Sequence, residues 1–114
     1  MNTKVEYLYR DASNYKVHNE AVIKGTLTAE QIEEIISCCD CVEYFVPQQV
    51  GLPETRFGKI TEDDHCWFEI CREGFSETDQ ASTVDLTAEE LYRNFLVASG
   101  NWDEWAWLRG VEIE

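Results

Sequence analysis

Leu27-Thr28-Ala29-Glu30 and Leu86-Thr87-Ala88-Glu89 are the same four-residue word, 59 positions apart, and each has the chemistry to start a helix. In each copy a threonine hydroxyl can accept from an early helix N–H. The side chain three residues on, Gln31 or Glu90, can reach back to the threonine N–H. Apolar residues follow at helical spacing: Ile32, Ile35, Ile36 and Cys39 after the first word, Leu91, Phe95 and Ala98 after the second. Tyr92 and Leu96 flank the second stripe, and Glu30, Glu33 and Glu34 lie off the first. The spacing predicts one helix over about residues 29–39 and another from Ala88 until Gly100 stops it. Helices this short are marginal alone and need a packed surface under their stripes. The repeated word also suggests a duplicated unit, but the segments before the two copies do not match, and capping boxes recur by chance.

The surface must come from strands. Val5, Tyr7 and Tyr9 alternate with Glu6, Leu8 and Arg10, the period of a strand with one apolar face. Asp11-Ala12-Ser13-Asn14 is rich in side chains that bond their own backbone, so it should turn. Tyr15 to Lys24 then resumes as a second strand, and the two form a hairpin. Tyr44-Phe45-Val46-Pro47 is a short apolar run stopped by proline, and Gln48 to Lys59 reads as a loop or irregular strand. His65 to Arg72 reads as a strand, with Cys66, Phe68 and Ile70 on one face and Trp67, Glu69 and Cys71 on the other. Thr83–Leu86 should be extended, and Val111–Glu114 alternates like a terminal edge strand. The expected fold class is α+β: one compact domain over residues 1–114, with an antiparallel sheet of four or five strands packed by two short helices.

Charge narrows what such a domain can touch. Lys and Arg number 9 against 23 Asp and Glu, a net charge of −14, while 44% hydrophobic residues suffice for a core. Phosphate backbones and anionic lipid would repel this chain, so neither nucleic acid nor a membrane surface is an expected direct partner. The N-terminal stretch has no apolar core of the secretory type, and no run approaches the ~20 apolar residues of a membrane span. Five cysteines, two of them adjacent, make a poor disulfide framework. These features lead us to expect a cytoplasmic protein with reduced thiols.

Three stretches carry a resemblance. They are Tyr7-Leu8-Tyr9-Arg10-Asp11-Ala12-Ser13-Asn14-Tyr15-Lys16, then Tyr44-Phe45-Val46-Pro47 with Val50-Gly51-Leu52-Pro53 and Arg56-Phe57, then Glu62-Asp63-Asp64-His65-Cys66-Trp67-Phe68-Glu69. Together they resemble a family of small acidic hypothetical proteins of Firmicutes and their mobile elements and phages. The family brings no established activity, so no catalytic or binding residue carries over. What the resemblance implies is a mobile-element setting, where small acidic proteins often inhibit host defence proteins in the manner of an anti-CRISPR.

The residues themselves offer several sites. Cys38, Cys39, Cys41, Cys66 and Cys71 with His65 contain enough ligands for zinc, but no paired CxxC spacing occurs. Cys39 falls on the apolar stripe of the first helix, where a thiol behaves as core. Cys38 and Cys41 sit near that helix's C-terminus, which disfavours a thiolate. Asp63, Asp64 and His65 form an acid–imidazole run, yet consecutive residues on an extended chain cannot converge on one ion. No nucleophile elbow and no glycine-rich phosphate loop is present.

The acids themselves are the remaining feature. Residues 1–50 hold 4 basic and 8 acidic side chains, residues 51–114 hold 5 and 15. A row of surface carboxylates can imitate the field of a duplex, which carries a charge every ~1.7 Å of axis. Trp102-Asp103-Glu104-Trp105-Ala106-Trp107 interleaves aromatics with acids, as an interface anchor with a charged rim would, while at least two of the tryptophans are expected to cover the sheet or second helix as core. The expectation is a non-enzymatic interaction protein with no cofactor and no metal. It would bind a basic, nucleic-acid-handling protein through Glu62, Asp63, Asp64, Asp103, Glu104 and Trp105. The alternatives are a small metal or enzymatic domain centred on Asp63, Asp64, His65 and the cysteines, and a homodimer paired through Val111–Glu114.

Overall fold

The computed structural model describes residues 1–11, 13–54 and 67–103 of the chain. The hairpin expected from alternation forms from β1 (Asn2–Arg10) and β2 (Lys16–Ile23). Their register runs without a slip from Thr3 opposite Ile23 to Arg10 opposite Lys16. The turn is held as its composition requires. The Asp11 and Asn14 amides donate to the Tyr15 and Asp11 carbonyls at 3.0 Å, and Asn14 takes a left-handed φ of 67°.

Both helices start where the threonines place them. Helix α1 (Ala29–Cys38) and a later helix (Ala88–Ala98) each open on a complete capping box, Thr28 with Gln31 and Thr87 with Glu90. Between them lie β3 (Tyr44–Phe45), a helical turn α2 (Pro47–Val50) and β4 (Phe68–Glu69). A 3₁₀ turn at Arg72–Gly74 leads into β5 (Phe75–Thr78), and the Ala88–Ala98 helix is therefore α3. The sheet is antiparallel and five-stranded, in the order β2-β1-β4-β3 with β5 also on β1, so the fold is α+β.

Val5, Tyr7 and Tyr9 of β1 and Ala21 and Ile23 of β2 are buried beneath Ile35 and Ile36 of α1 and Leu91 and Phe95 of α3. Aromatic rings bind these layers together. Phe45 meets Tyr7 edge-on at 5.6 Å and Phe95 at 5.5 Å, while Phe68 lies 5.2 Å from Tyr9. Trp102 packs on Phe95 at 6.0 Å and its indole N–H donates to the Cys38 carbonyl at 2.9 Å. That bond satisfies one of the carbonyls left open at the end of α1. The opposite face of the hairpin carries Lys4, Glu6, Leu8 and Arg10 from β1 and His18 and Glu20 from β2.

Several expectations change. A third helix, α2, replaces part of the loop expected from Gln48, because Pro47 is pre-set for a first helical position and Gly51 closes the turn at φ 88°. The strand expected over His65–Arg72 is confined, within the described residues, to Phe68–Glu69; past Cys71 the chain coils into the 3₁₀ turn. Thr83–Leu86 bends instead of extending, held to the end of β2 by Thr83 N–H on the Val22 carbonyl and Lys24 N–H on the Leu86 carbonyl. Val111–Glu114 lies outside the described residues, as do His65 and Cys66.

Two backbone positions are demanding. A Cβ on Gly74 would stand 2.4 Å from the Glu6 carbonyl oxygen, so only glycine lets the chain pass β1 there. Cys41 and Val42 take left-handed φ values of 52° and 60° in the turn between Asp40 and Tyr44. Valine is poorly suited to that region, where its branched Cβ crowds the backbone. Gly74→Ala should lower the unfolding free energy by about 1–3 kcal/mol, as overpacking does, read by urea denaturation; an unchanged midpoint would mean β1 and the turn separate freely. Val42→Asn should raise stability by about 1 kcal/mol by relieving the left-handed strain, visible as a higher thermal midpoint.

Candidate functional site

The register of the sheet produces a groove. Leu8 pairs with Glu69 and Val5 with Phe75, so only Glu6 and Tyr7 of β1 face the five residues from Ile70 to Gly74. Three surplus residues cannot stay in the ladder. They leave as the 3₁₀ turn, a bulge much larger than the usual single extra residue. Gly74 keeps that excursion against β1. The space beside it, between the hairpin, β4 and the 3₁₀ turn, is a groove of about 630 Å³.

Five glutamates line it: Glu6 from β1, Glu20 from β2, Glu43 before β3, Glu69 from β4 and Glu73 from the 3₁₀ turn. Leu8, His18 and Cys71 lie between them, and apolar surface predominates in the lining. Each acid is placed by a local rule. Glu6 and Glu20 are directly opposite on the hairpin, a like-charge pair that costs stability. Lys4 moderates it, with its ammonium 3.2 Å from Glu20 and 4.0 Å from Glu6. Glu43 leaves the strained Cys41–Val42 turn and is fixed through its carbonyl, which accepts from the Ile70 N–H at 3.0 Å. Glu69 is met by the Arg10 guanidinium at 2.9 Å. Glu73 is held below the usual carboxylate range by a bond to its own backbone and then by the Cys71 thiol. Among the described residues neither Glu43 nor Glu73 has an ion-pair partner; Arg72, beside Glu73, turns to Glu33 on α1.

The expected contact residues are placed differently. Of the six, only Asp103 is described; Glu62, Asp63, Asp64, Glu104 and Trp105 lie outside the described residues. Asp103 is half-buried and its N–H donates to the Gln49 side chain at 2.7 Å, at the α2 end of the molecule and not in the groove. The groove acids were not among the expected contacts. Alternation already turned Glu6 and Glu20 away from the core, but nothing in the spacing announces the bulge that brings Glu73 beside them.

The cysteines divide by environment. Cys38 and Cys39 are buried, Cys41 and Cys71 are exposed, and all four thiols are free. Burial first, and then its neighbour Cys38, push the Cys39 thiol up to about 12. It remains protonated at neutral pH, which makes it a poor nucleophile. Among the described residues no three His, Cys, Asp or Glu side chains converge as a metal site. No helix among them is long and apolar enough to cross a membrane. Compared with protein-family models, with curated proteins and with solved structures, the chain matches none, so the site is read from its own geometry.

Mass-mapped alkylation under native conditions should label Cys41 and Cys71 quickly and leave Cys38 and Cys39 unlabelled until denaturant is added. Rapid native labelling of Cys39 would contradict its burial in the core.

Proposed function

We propose that this chain is a non-enzymatic interaction protein that engages a basic protein partner, competing with nucleic acid for that partner's cationic surface. The observation that carries the reading is the groove: five carboxylates gathered from the hairpin, the approach to β3, β4 and the 3₁₀ turn, in a chain of net charge −14. The other exposed acids, among them Glu30 and Glu34 on α1, Glu77 on β5 and Glu89 on α3, extend the same field around the molecule. A surface of one sign steers an oppositely charged partner during approach and repels phosphate backbones. The mobile-element setting implied by the sequence resemblance directs the search for the partner to nucleic-acid-handling and host-defence proteins.

The experiment is capture of the partner on the immobilised chain, then rate measurements with the purified partner at increasing salt. The association rate should fall by about tenfold or more between low and high ionic strength, as steered encounters do. Duplex DNA alone should not bind, and DNA should be displaced from the partner. An association rate indifferent to salt, or stoichiometric zinc or manganese retained by the purified chain, would overturn the reading.

A further inference from the structure

The groove has two chemical components that together specify more than negative charge. Its lining is mainly apolar, with Leu8 half-buried among the acids, and its acids enter from four separate segments of the chain. A hydrated inorganic cation needs converging oxygens and gains nothing from carbon surface. Among the described residues no metal-ligating group of three is assembled. A long basic side chain has the complementary construction, with methylenes that cover apolar surface and a charged head that stays among carboxylates. Arginine suits it better than lysine, because its planar guanidinium donates to two carboxylates at once and is more weakly hydrated.

We infer that the groove is a docking site for an arginine side chain projecting from the partner protein, its stem over Leu8 and its guanidinium held by Glu43 and Glu73. These two carboxylates have no ion-pair partner among the described residues, whereas Lys4 already attends Glu6 and Glu20, and Arg10 attends Glu69. Arg10 at Glu69 is the chain's own example of the pairing, a guanidinium 2.9 Å from a carboxylate that lines the groove. The inference rests on the basic-partner reading and adds to it the residue type recognised and the place where it binds.

The test uses the full chain and a fluorescent octapeptide of alternating arginine and serine, with citrulline, lysine and free spermine as comparison ligands. The arginine peptide should bind at least tenfold more tightly than the neutral citrulline peptide and severalfold more tightly than the lysine peptide. Glu43→Gln with Glu73→Gln should weaken it tenfold or more. Glu30→Gln with Glu77→Gln removes the same charge away from the groove and should change affinity less than threefold. Circular dichroism confirms that each variant folds. Equal losses from the two double variants would overturn the groove while leaving the basic-partner reading standing. Spermine binding as tightly as the peptide through Glu43 and Glu73 would overturn a side-chain occupant. No binding of any basic ligand would overturn both readings.

Discussion

β1 bonds to β2 from Thr3 to Arg10 on one edge, and on the other to β5 at Asn2–Val5 and to β4 at Leu8–Tyr9. Its core face, Val5, Tyr7 and Tyr9, is nearly devoid of solvent contact, so both helices rest on side chains that this one strand presents. Displacing β1 by one residue would turn its apolar set outward. The sheet would lose three partners and the helices their floor together. Tyr7 adds a polar constraint, since its hydroxyl donates to the Pro53 carbonyl and burial keeps it protonated. The segment after α2 is thereby tied to the same strand.

That dependence explains why the groove lies where it does. The second edge of β1 is shared by two short strands whose registers differ by three residues, and the surplus must leave the sheet between them. Gly74 permits the departure by passing against the Glu6 carbonyl, and Arg72 ties the excursion to α1 through Glu33. The groove walls are thus anchored to both layers of the fold. On the other side, the Cys41–Val42 turn delivers Glu43 in a conformation that costs free energy locally. The neighbouring packing of Phe45 and Val46, both fully buried, over-determines that turn.

The hairpin and both long helices were legible because their signals are local: alternation at Val5–Tyr9, and a threonine followed three residues later by Gln31 or Glu90. β5 and the bulge were not. Phe75-Ser76-Glu77-Thr78 has one apolar residue that reads as strand-like, and its pairing comes from backbone bonds to β1. The turn at Cys41–Val42 also breaks the rule that such positions favour glycine or asparagine, so no residue type announced it. The site followed the same division. The outward direction of Glu6 and Glu20 is written in the alternation, but their meeting with Glu69 and Glu73 depends on a register offset that no spacing encodes.

Two of the groove acids brace the sheet, Glu69 through Arg10 at 2.9 Å and Glu20 through Lys4 at 3.2 Å, whereas Glu43 and Glu73 have no ion-pair partner among the described residues. Glu6 facing Glu20 is unfavourable for the hairpin, and Lys4 offsets it. In water that cost stays small, because exposed charges are well screened. Under the proposed partner the dielectric would fall and that cost would grow, because covered unpaired carboxylates are costly and a matching cation relieves them. The same five side chains therefore disfavour an apolar or acidic occupant and favour a basic one. Under the proposed reading, selectivity would arise as much from what the groove excludes as from what it holds.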